Sequence, residues 1–292
     1  MARFKILDGA MGSELIRKGL TLPEHIWSAE ANIMSPDVVK NIHSEYIDAG
    51  ADYITTNTFR TTPRAYQKTG IDDKKVVKMA KKSLLCAVEL AKEAADNTTK
   101  VIGSIAPLED CYAPEFFPGK NVAISEFKQL GKWLAVAKVD ILLLETMNSL
   151  AETESALIGI ETLDLPIWVS FVLKDADHLL SGDSIVDTLE MIKHHSVDCI
   201  MLNCNSLDLT VTAVEKLVYN CHDDWGIYPN LGRGEPSVDG YISAHESMEK
   251  YLFLIQHALD LGASVVGACC GSSPKHIAEI KKLKTSYSCL ND

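Results

Sequence analysis

Eight short apolar runs, set apart by longer stretches with helical spacing, constrain this chain more than any other feature. The runs are "FKILDG" (4–9), "DYITTNTF" (52–59), "VIGSIAP" (101–107), "DILLLETM" (140–147), "PIWVSFVL" (166–173), "DCIMLNC" (198–204), "GIYPNL" (226–231) and "SVVGACC" (264–270). Between them, Val38, Val39, Ile42 and Tyr46 are closed by Gly50, and Met248, Leu252, Ile255 and Leu259 by Gly262; each set puts one apolar stripe against a sheet. Ser149 with Glu152 has the spacing of a capping box and opens the helix after the fourth run. Strands apolar on both faces, alternating with amphipathic helices, predict a parallel sheet covered by helices. Eight such units are the number that closes a (β/α)8 TIM barrel; an open doubly wound sheet is the alternative. No composition break or charge run marks a second unit, so residues 1–292 are expected to form one barrel domain.

Composition excludes several function classes. At 47% hydrophobic and 23% charged residues the chain has the make-up of an ordinary globular protein. A formal charge of -12 opposes binding to a phosphate backbone, so nucleic acid is not an expected partner. No apolar run approaches the ~20 residues that cross a bilayer, and the first residues do not read as a signal peptide. The expected address is the cytoplasm, and a homo-oligomer is compatible with everything in the sequence.

In such a barrel, chemistry gathers where strands end and the following loops begin. Asp8, Asn57, Thr58, Ser104, Glu145, Cys204, Asn230, Cys269 and Cys270 all fall at those ends. Eight cysteines in a chain of this size point to reduced thiols, and two adjacent ones make poor disulfide partners. Cys86, Cys199, Cys221 and Cys289 read as small core residues, while Cys111 lies in a loop and is left unassigned. Barrel closure would bring Cys204 to the vicinal pair, and three sulfurs suit zinc. Their spacing alone does not decide between a metal site and three buried thiols.

The segments "ILDGAMGSEL", "HIWSAEAN", "GADYITTNTF", "LLLETM", "LNCNS", "YPNLG" and "GACCGSSPKHI" together resemble the homocysteine S-methyltransferase family, in the same order and over nearly the whole chain. The resemblance implies a zinc-dependent barrel enzyme that moves a methyl group onto the sulfur of homocysteine, giving methionine. It puts the Zn2+ ligands, and with them catalysis, on Cys204, Cys269 and Cys270. Ala268 and the Met201-Leu202 pair stand where the family often has glycine, which leaves the sulfurs intact and puts only local backbone shape in question. Bound thiols lose their proton readily, and the thiolate is the nucleophile. Asn230 resembles a displaceable fourth ligand of some relatives; its plain reading is a turn residue after Pro229.

By the same resemblance Asp8 and Glu145 hold the substrate amino group, against readings as structural hydrogen-bond acceptors or an acid/base pair. The backbone of "DGAMG", with Gly9 allowing close approach, would receive the substrate carboxylate. Asn57, Thr58 and Ser104 are further pocket candidates. A chain ending at Asp292 suggests a small cationic methyl donor: S-methylmethionine, S-adenosylmethionine, betaine or a related sulfonium. Trp27, Tyr112, Phe116 and Phe117 could face such a cation, the last three from the long loop over 108–123. The "IWSA" element looks closer to members that use S-methylmethionine, without excluding betaine.

Two other readings compete. Gly271, Ser272 and Ser273 before Pro274 could cradle a phosphate, as in isomerases and aldolases, although only Lys174 stands near a strand end for a Schiff base. A non-catalytic zinc-binding barrel would keep the sulfurs but would not need Asp8 and Glu145. His194 and His195, at a helix end, read as solvated rather than as ligands.

Overall fold

The computed structural model describes residues 4–221, 224–233 and 244–289, with side chains through 285. Each of the eight runs overlaps a strand: β1 Lys5–Ile6, β2 Tyr53–Thr55, β3 Lys100–Ile105, β4 Ile141–Met147, β5 Ile167–Phe171, β6 Cys199–Asn203, β7 Asp224–Tyr228 and β8 Val265–Val266, with β3 and β7 starting just before their runs. All neighbours pair in parallel, in the order β1-β8-β7-β6-β5-β4-β3-β2. A parallel bridge from Leu7 to Tyr53, with Asp8 N–H donating to Tyr53 O at 3.0 Å, ties the two ends together. The fold is therefore a TIM barrel, not an open sheet.

The amphipathic stretches form the outer ring. Helix Pro36–Ala49 buries Val39, Ile42 and Tyr46 and stops at Gly50, whose φ of 114° suits a left-handed C-cap. Helix Met248–Asp260 likewise buries Tyr251, Leu254 and Ile255. Ser149 Oγ accepts from Glu152 N–H as expected, but the Glu152 carboxylate does not complete the box. It accepts instead from Leu108 N–H at 2.8 Å, because the loop leaving β3 brings an unmet donor to it.

Three apolar clusters result among the described residues. The largest lies between strands and helices; a small one gathers Ile26, Ala29, Ala65, Tyr66, Val76 and Ala80; another fills the barrel with Leu7, Ile102, Ile141, Leu143, Trp168, Met201, Tyr228 and Val265. Tyr53 meets Trp168 edge to face there, at 5.0 Å between centroids. Cys199 belongs to this interior plug and Cys221 is buried against the outer core, as a core reading requires. Cys86 is half-buried, its Sγ donating to Asn32 O at 3.0 Å; the Cys289 side chain lies outside the described residues. The plug closes the axis, so a ligand can enter only at the strands' C-terminal mouth.

Of the boundaries that differ from the sequence reading, two bear on the mouth of the barrel. β7 ends at Tyr228, since Pro229 has no N–H for the ladder. Helix Lys120–Val136 takes the last residues of the long loop over 108–123, which therefore ends at Gly119. Most of the loop after β7, residues 234–243, lies outside the described residues. Among the described residues no helix is long and apolar enough to cross a membrane.

Candidate functional site

The inward positions of the strands alternate, so those above the plug can be read off by twos. In β4 they are Ile141, Leu143 and then Glu145; in β6, Cys199, Met201 and then Asn203; in β3, Ile102 and then Ser104. The same count puts Ser170 above Trp168 in β5. The interior thus changes from apolar to polar at one level, and that level is the floor of the mouth.

Cys204 follows β6 with φ 57°, and Cys269 and Cys270 follow β8. Backbone bonds set the pair in place: Cys269 N–H donates to Pro229 O and Leu231 N–H to Cys270 O, both at 2.8 Å. The three sulfurs converge, with Sγ–Sγ distances of 3.0 Å (204–269), 3.6 Å (204–270) and 3.9 Å (269–270). A tetrahedral zinc with bonds near 2.3 Å separates its sulfurs by about 3.8 Å, so the trio fits that ion with small adjustments. Among the described residues it is the one His/Cys/Asp/Glu cluster compact enough to hold a metal. Cys204 receives hydrogen bonds from the other two thiols and from Tyr112 Oη, which holds its thiol well below the usual range; Cys269 and Cys270 are pushed up beside it. One sulfur is thus ready to ionise first.

Asp8 is buried at the end of β1, its two oxygens accepting from Thr55 N–H at 2.9 Å and Thr55 Oγ1 at 3.0 Å. Burial pushes its carboxyl up to about 8, and the charge of Glu145 adds to the effect. Burial also pushes Glu145 up, to about 7, against hydrogen bonds from Ser104 Oγ and Tyr228. Among the described residues neither carboxylate has an ion-pair partner. A buried and a half-buried acid without a counter-charge are costly unless a cation is supplied.

The other candidates divide. Ser104 acts directly on Glu145. Asn57 uses both amide hydrogens within the protein, on Ser28 O and Asn32 Oδ1 at 2.8 Å each, and Thr58 Oγ1 donates to Ser104 O at 2.6 Å. They hold the strand ends from behind. Gly9 cannot be replaced freely: a Cβ there would lie 2.6 Å from Ser272 Oγ and 2.7 Å from Tyr46 Oη. Trp27, half-buried with φ 44°, lies over Gly12 in the first turn of helix Met11–Arg17, which takes in the last two residues of "DGAMG"; a Cβ at Gly12 would stand 2.8 Å from its Nε1. Asn230 Oδ1 accepts from Gly232 N–H at 2.8 Å, the turn use anticipated for it, between the two residues that bond the cysteine pair.

The loop after β3 covers the sulfurs with Tyr112, whose Oη lies 3.4 Å from Cys204 Sγ. Phe117 packs against the outer core and Phe116 is exposed. Arg60 and Arg64 bond Glu109 at 2.8 and 3.0 Å and so pin the start of this loop. Cys111, next to Tyr112, is buried, and burial pushes its thiol up to about 12.

The structure also settles the competitors' residues. The N–H groups of Gly271, Ser272 and Ser273 are taken by Ser13 Oγ, Cys269 O and His276 Nδ1, leaving no phosphate cradle. Lys174 is exposed on the small hairpin after β5. His195 pairs with Glu161 at the opposite end of the barrel from the thiols, and His194 is exposed.

Thr55, Thr146, Ser170, Asn203 and Tyr228 were not singled out from the sequence. Counting by twes from an inward residue would have found Ser170 and Asn203, but a strand apolar on both faces hides which face is inward.

Comparison with known proteins agrees with this geometry. A family profile described as homocysteine S-methyltransferase matches residues 5–283. The homocysteine S-methyltransferase YbgG of Bacillus subtilis is 28% identical over 96% of each chain, and the homocysteine S-methyltransferase of Escherichia coli 29% over 94% of each. The metallated crystal structure of the Escherichia coli homocysteine methyltransferase MmuM superposes with a TM-score of 0.82, at 26% identity and covering 96% of each chain. The profile runs from β1 into the last helix, and this chain accordingly belongs to the homocysteine S-methyltransferase family.

Proposed function

We propose that the chain transfers a methyl group from a small sulfonium donor to L-homocysteine, with Zn2+ held by Cys204, Cys269 and Cys270. The observation that carries this reading is the convergence of three sulfurs, from two distant strand ends, to separations of 3.0 to 3.9 Å. When bound, zinc supplies the ionisation of the incoming thiol at neutral pH.

The chain's own residues do the rest. Asp8 and Glu145, once ionised, take the substrate ammonium, and Ser104, Thr55 and Tyr228 hold the two carboxylates in place by hydrogen bonds. Ammonium and sulfur fixed together leave the thiolate's electron pair facing the mouth. That pair forms the new S–C bond as the donor's onium–carbon bond breaks, and the donor departs neutral. No protein group has to move a proton at the donor. Tyr112, with its ring at the entrance, faces the incoming cation, and Trp27 closes the side next to "DGAMG", whose backbone receives the substrate carboxylate. By its resemblance to the displaceable ligand of some relatives, Asn230 would fill the fourth metal position before substrate arrives, giving up its hydrogen bond from Gly232 N–H. The whole chain acts as one cytoplasmic barrel domain, with small-molecule partners and no nucleic acid.

Purified protein is to be assayed for metal content and for methionine formed from homocysteine with S-methylmethionine, S-adenosylmethionine or betaine. About one zinc per chain and turnover with a sulfonium donor support the proposal. A zinc-loaded protein inert with every donor refutes it in favour of a storage or sensing barrel. Turnover with betaine alone refutes the sulfonium assignment.

A further inference from the structure

Glu145 and Cys204 lie on strands separated by β5, and between them runs one short polar bridge. Asn203 Nδ2 donates to Thr146 Oγ1 at 2.7 Å, with Asn203 0% and Thr146 3% exposed. Thr146 directly follows Glu145, and Asn203 directly precedes Cys204.

Both junctions are unusual. Thr146 has φ 61° and Cys204 φ 57°, a region β-branched residues rarely enter, so the surroundings must hold Thr146 there. The ladder does not do it: the β4–β5 register slips between Leu144 and Met147, leaving Glu145 and Thr146 outside regular pairing. Side chains hold them instead, through Thr146 N–H to Ser170 Oγ at 3.1 Å and the Asn203 bridge. Asn203 Oδ1 is itself buried without a partner among the described residues. Packing alone would favour an apolar residue over an amide with an unmet acceptor, so its retention needs another reason.

We infer that the Asn203–Thr146 hydrogen bond is a positioning element that fixes the span from the Glu145 carboxylate to Cys204 Sγ, so that the site selects its acceptor thiol by the number of methylenes between ammonium and sulfur. The inference rests on the methyl-transfer reading only for the identity of that acceptor. Cysteine, one methylene shorter than homocysteine, cannot put its ammonium on Glu145 and its sulfur beside the three thiols at once.

The test uses the cobalt-substituted protein, whose sulfur-to-cobalt absorption reports thiol binding without any methyl donor. Wild type, Thr146→Val, Thr146→Ser and Asn203→Ala are titrated with homocysteine and with cysteine. One methylene is ordinarily worth about 10–200-fold in discrimination, and wild type is expected to favour homocysteine within that range. Thr146→Val and Asn203→Ala are each expected to narrow the ratio about tenfold, chiefly by weaker homocysteine binding, with cobalt stoichiometry unchanged; Thr146→Ser keeps the wild-type ratio. Combining the two removals is expected to do no more than either alone, as for one shared bond. If Thr146→Val does not fold, Asn203→Ala decides. A wild type that does not discriminate, a ratio that survives the removals, or a Ser variant as impaired as Val overturns the inference. A wild type that discriminates yet forms no methionine with any donor refutes the methyl-transfer reading alone.

Discussion

Carboxylates stand at both ends of this barrel, and the two ends use them in opposite ways. At the foot, Asp52, Asp140 and Asp198 each precede an even-numbered strand and accept the N–H of Ile6, Val101 and Ile167 on the strand before, all at 2.8 Å. Lys284 and Lys5 pair with Asp52, and Lys100 with Asp140. At the mouth, Asp8 is buried and Glu145 half-buried, and both are raised in pKa and without a cation among the described residues. The foot's acids are satisfied by the chain and serve its stability. The mouth's acids have hydrogen bonds but no counter-charge among the described residues, which is what the proposed ammonium site requires.

The largest expected effect removes the thiols that make the mouth a site at all. Cys269→Ala should reduce bound zinc from about one per chain to near zero, and methyl transfer by at least ~1000-fold, because two sulfurs no longer define a tetrahedral site. Far-UV circular dichroism should stay that of the parent. Full metal content in the variant would remove the trio from the mechanism.

The comparison sharpens most at Glu145, where activity and stability should move in opposite directions. Glu145→Gln keeps the shape and loses the charge; kcat/KM for homocysteine should fall about 100-fold, the scale of a lost charged hydrogen bond of about 3 kcal/mol. The same change should raise the melting temperature of the metal-free protein at pH 8, since a partly desolvated charge without a counter-charge among the described residues is removed. A variant that loses both activity and stability would mean that Glu145 is structural.

That contrast also shows what the sequence could and could not reveal. The eight apolar runs fixed the strand count, and Asp8, Glu145 and the three cysteines were visible as reactive residues at strand ends. Their supports were hidden. Thr55 sits within "YITTNT", where any hydroxyl could have been the partner of Asp8. Asn203 and Tyr228 lie in strands buried on both faces, whose composition does not show which side chains look inward. The left-handed backbone of Thr146 and Cys204 depends on a register slip that only the paired strands reveal. Cys111 has no strand-end pattern, and its burial within the covering loop is a tertiary fact.

Smaller effects follow from the raised carboxyls. A folded pKa of about 8 for Asp8 and about 7 for Glu145, against ordinary values of 3.8 and 4.5, means that the folded state binds more protons than the unfolded state between about pH 4 and 8. These two groups therefore make the metal-free protein less stable as pH rises through that window, and the melting temperature should decline from pH 5 to pH 8. Binding runs the other way. The ammonium needs both carboxylates ionised, so homocysteine affinity should weaken about tenfold or more from pH 8 to pH 6. Isothermal titration in buffers of different ionisation heat should show proton release on binding at pH 7, and no release would separate Asp8 and Glu145 from the ammonium.

The smallest effect belongs to the foot. Asp140→Asn keeps an oxygen for Val101 N–H but loses the attraction to Lys100, a pair whose members are 36% and 58% exposed and so screened by water. The expected destabilisation is about 0.5–1 kcal/mol, seen as a lower urea midpoint with unchanged slope. The KM for homocysteine should equal that of the parent, because the apolar plug of Ile141, Leu143 and Met201 stands between Asp140 and the mouth. The contrast with Glu145→Gln is then one of sign as well as size: a neutral amide at the foot weakens the fold and spares the site, while at the mouth it strengthens the metal-free fold and disables the site. Should Asp140→Asn change KM as strongly as Glu145→Gln, the plug would not insulate the two ends, and the division between them would fail.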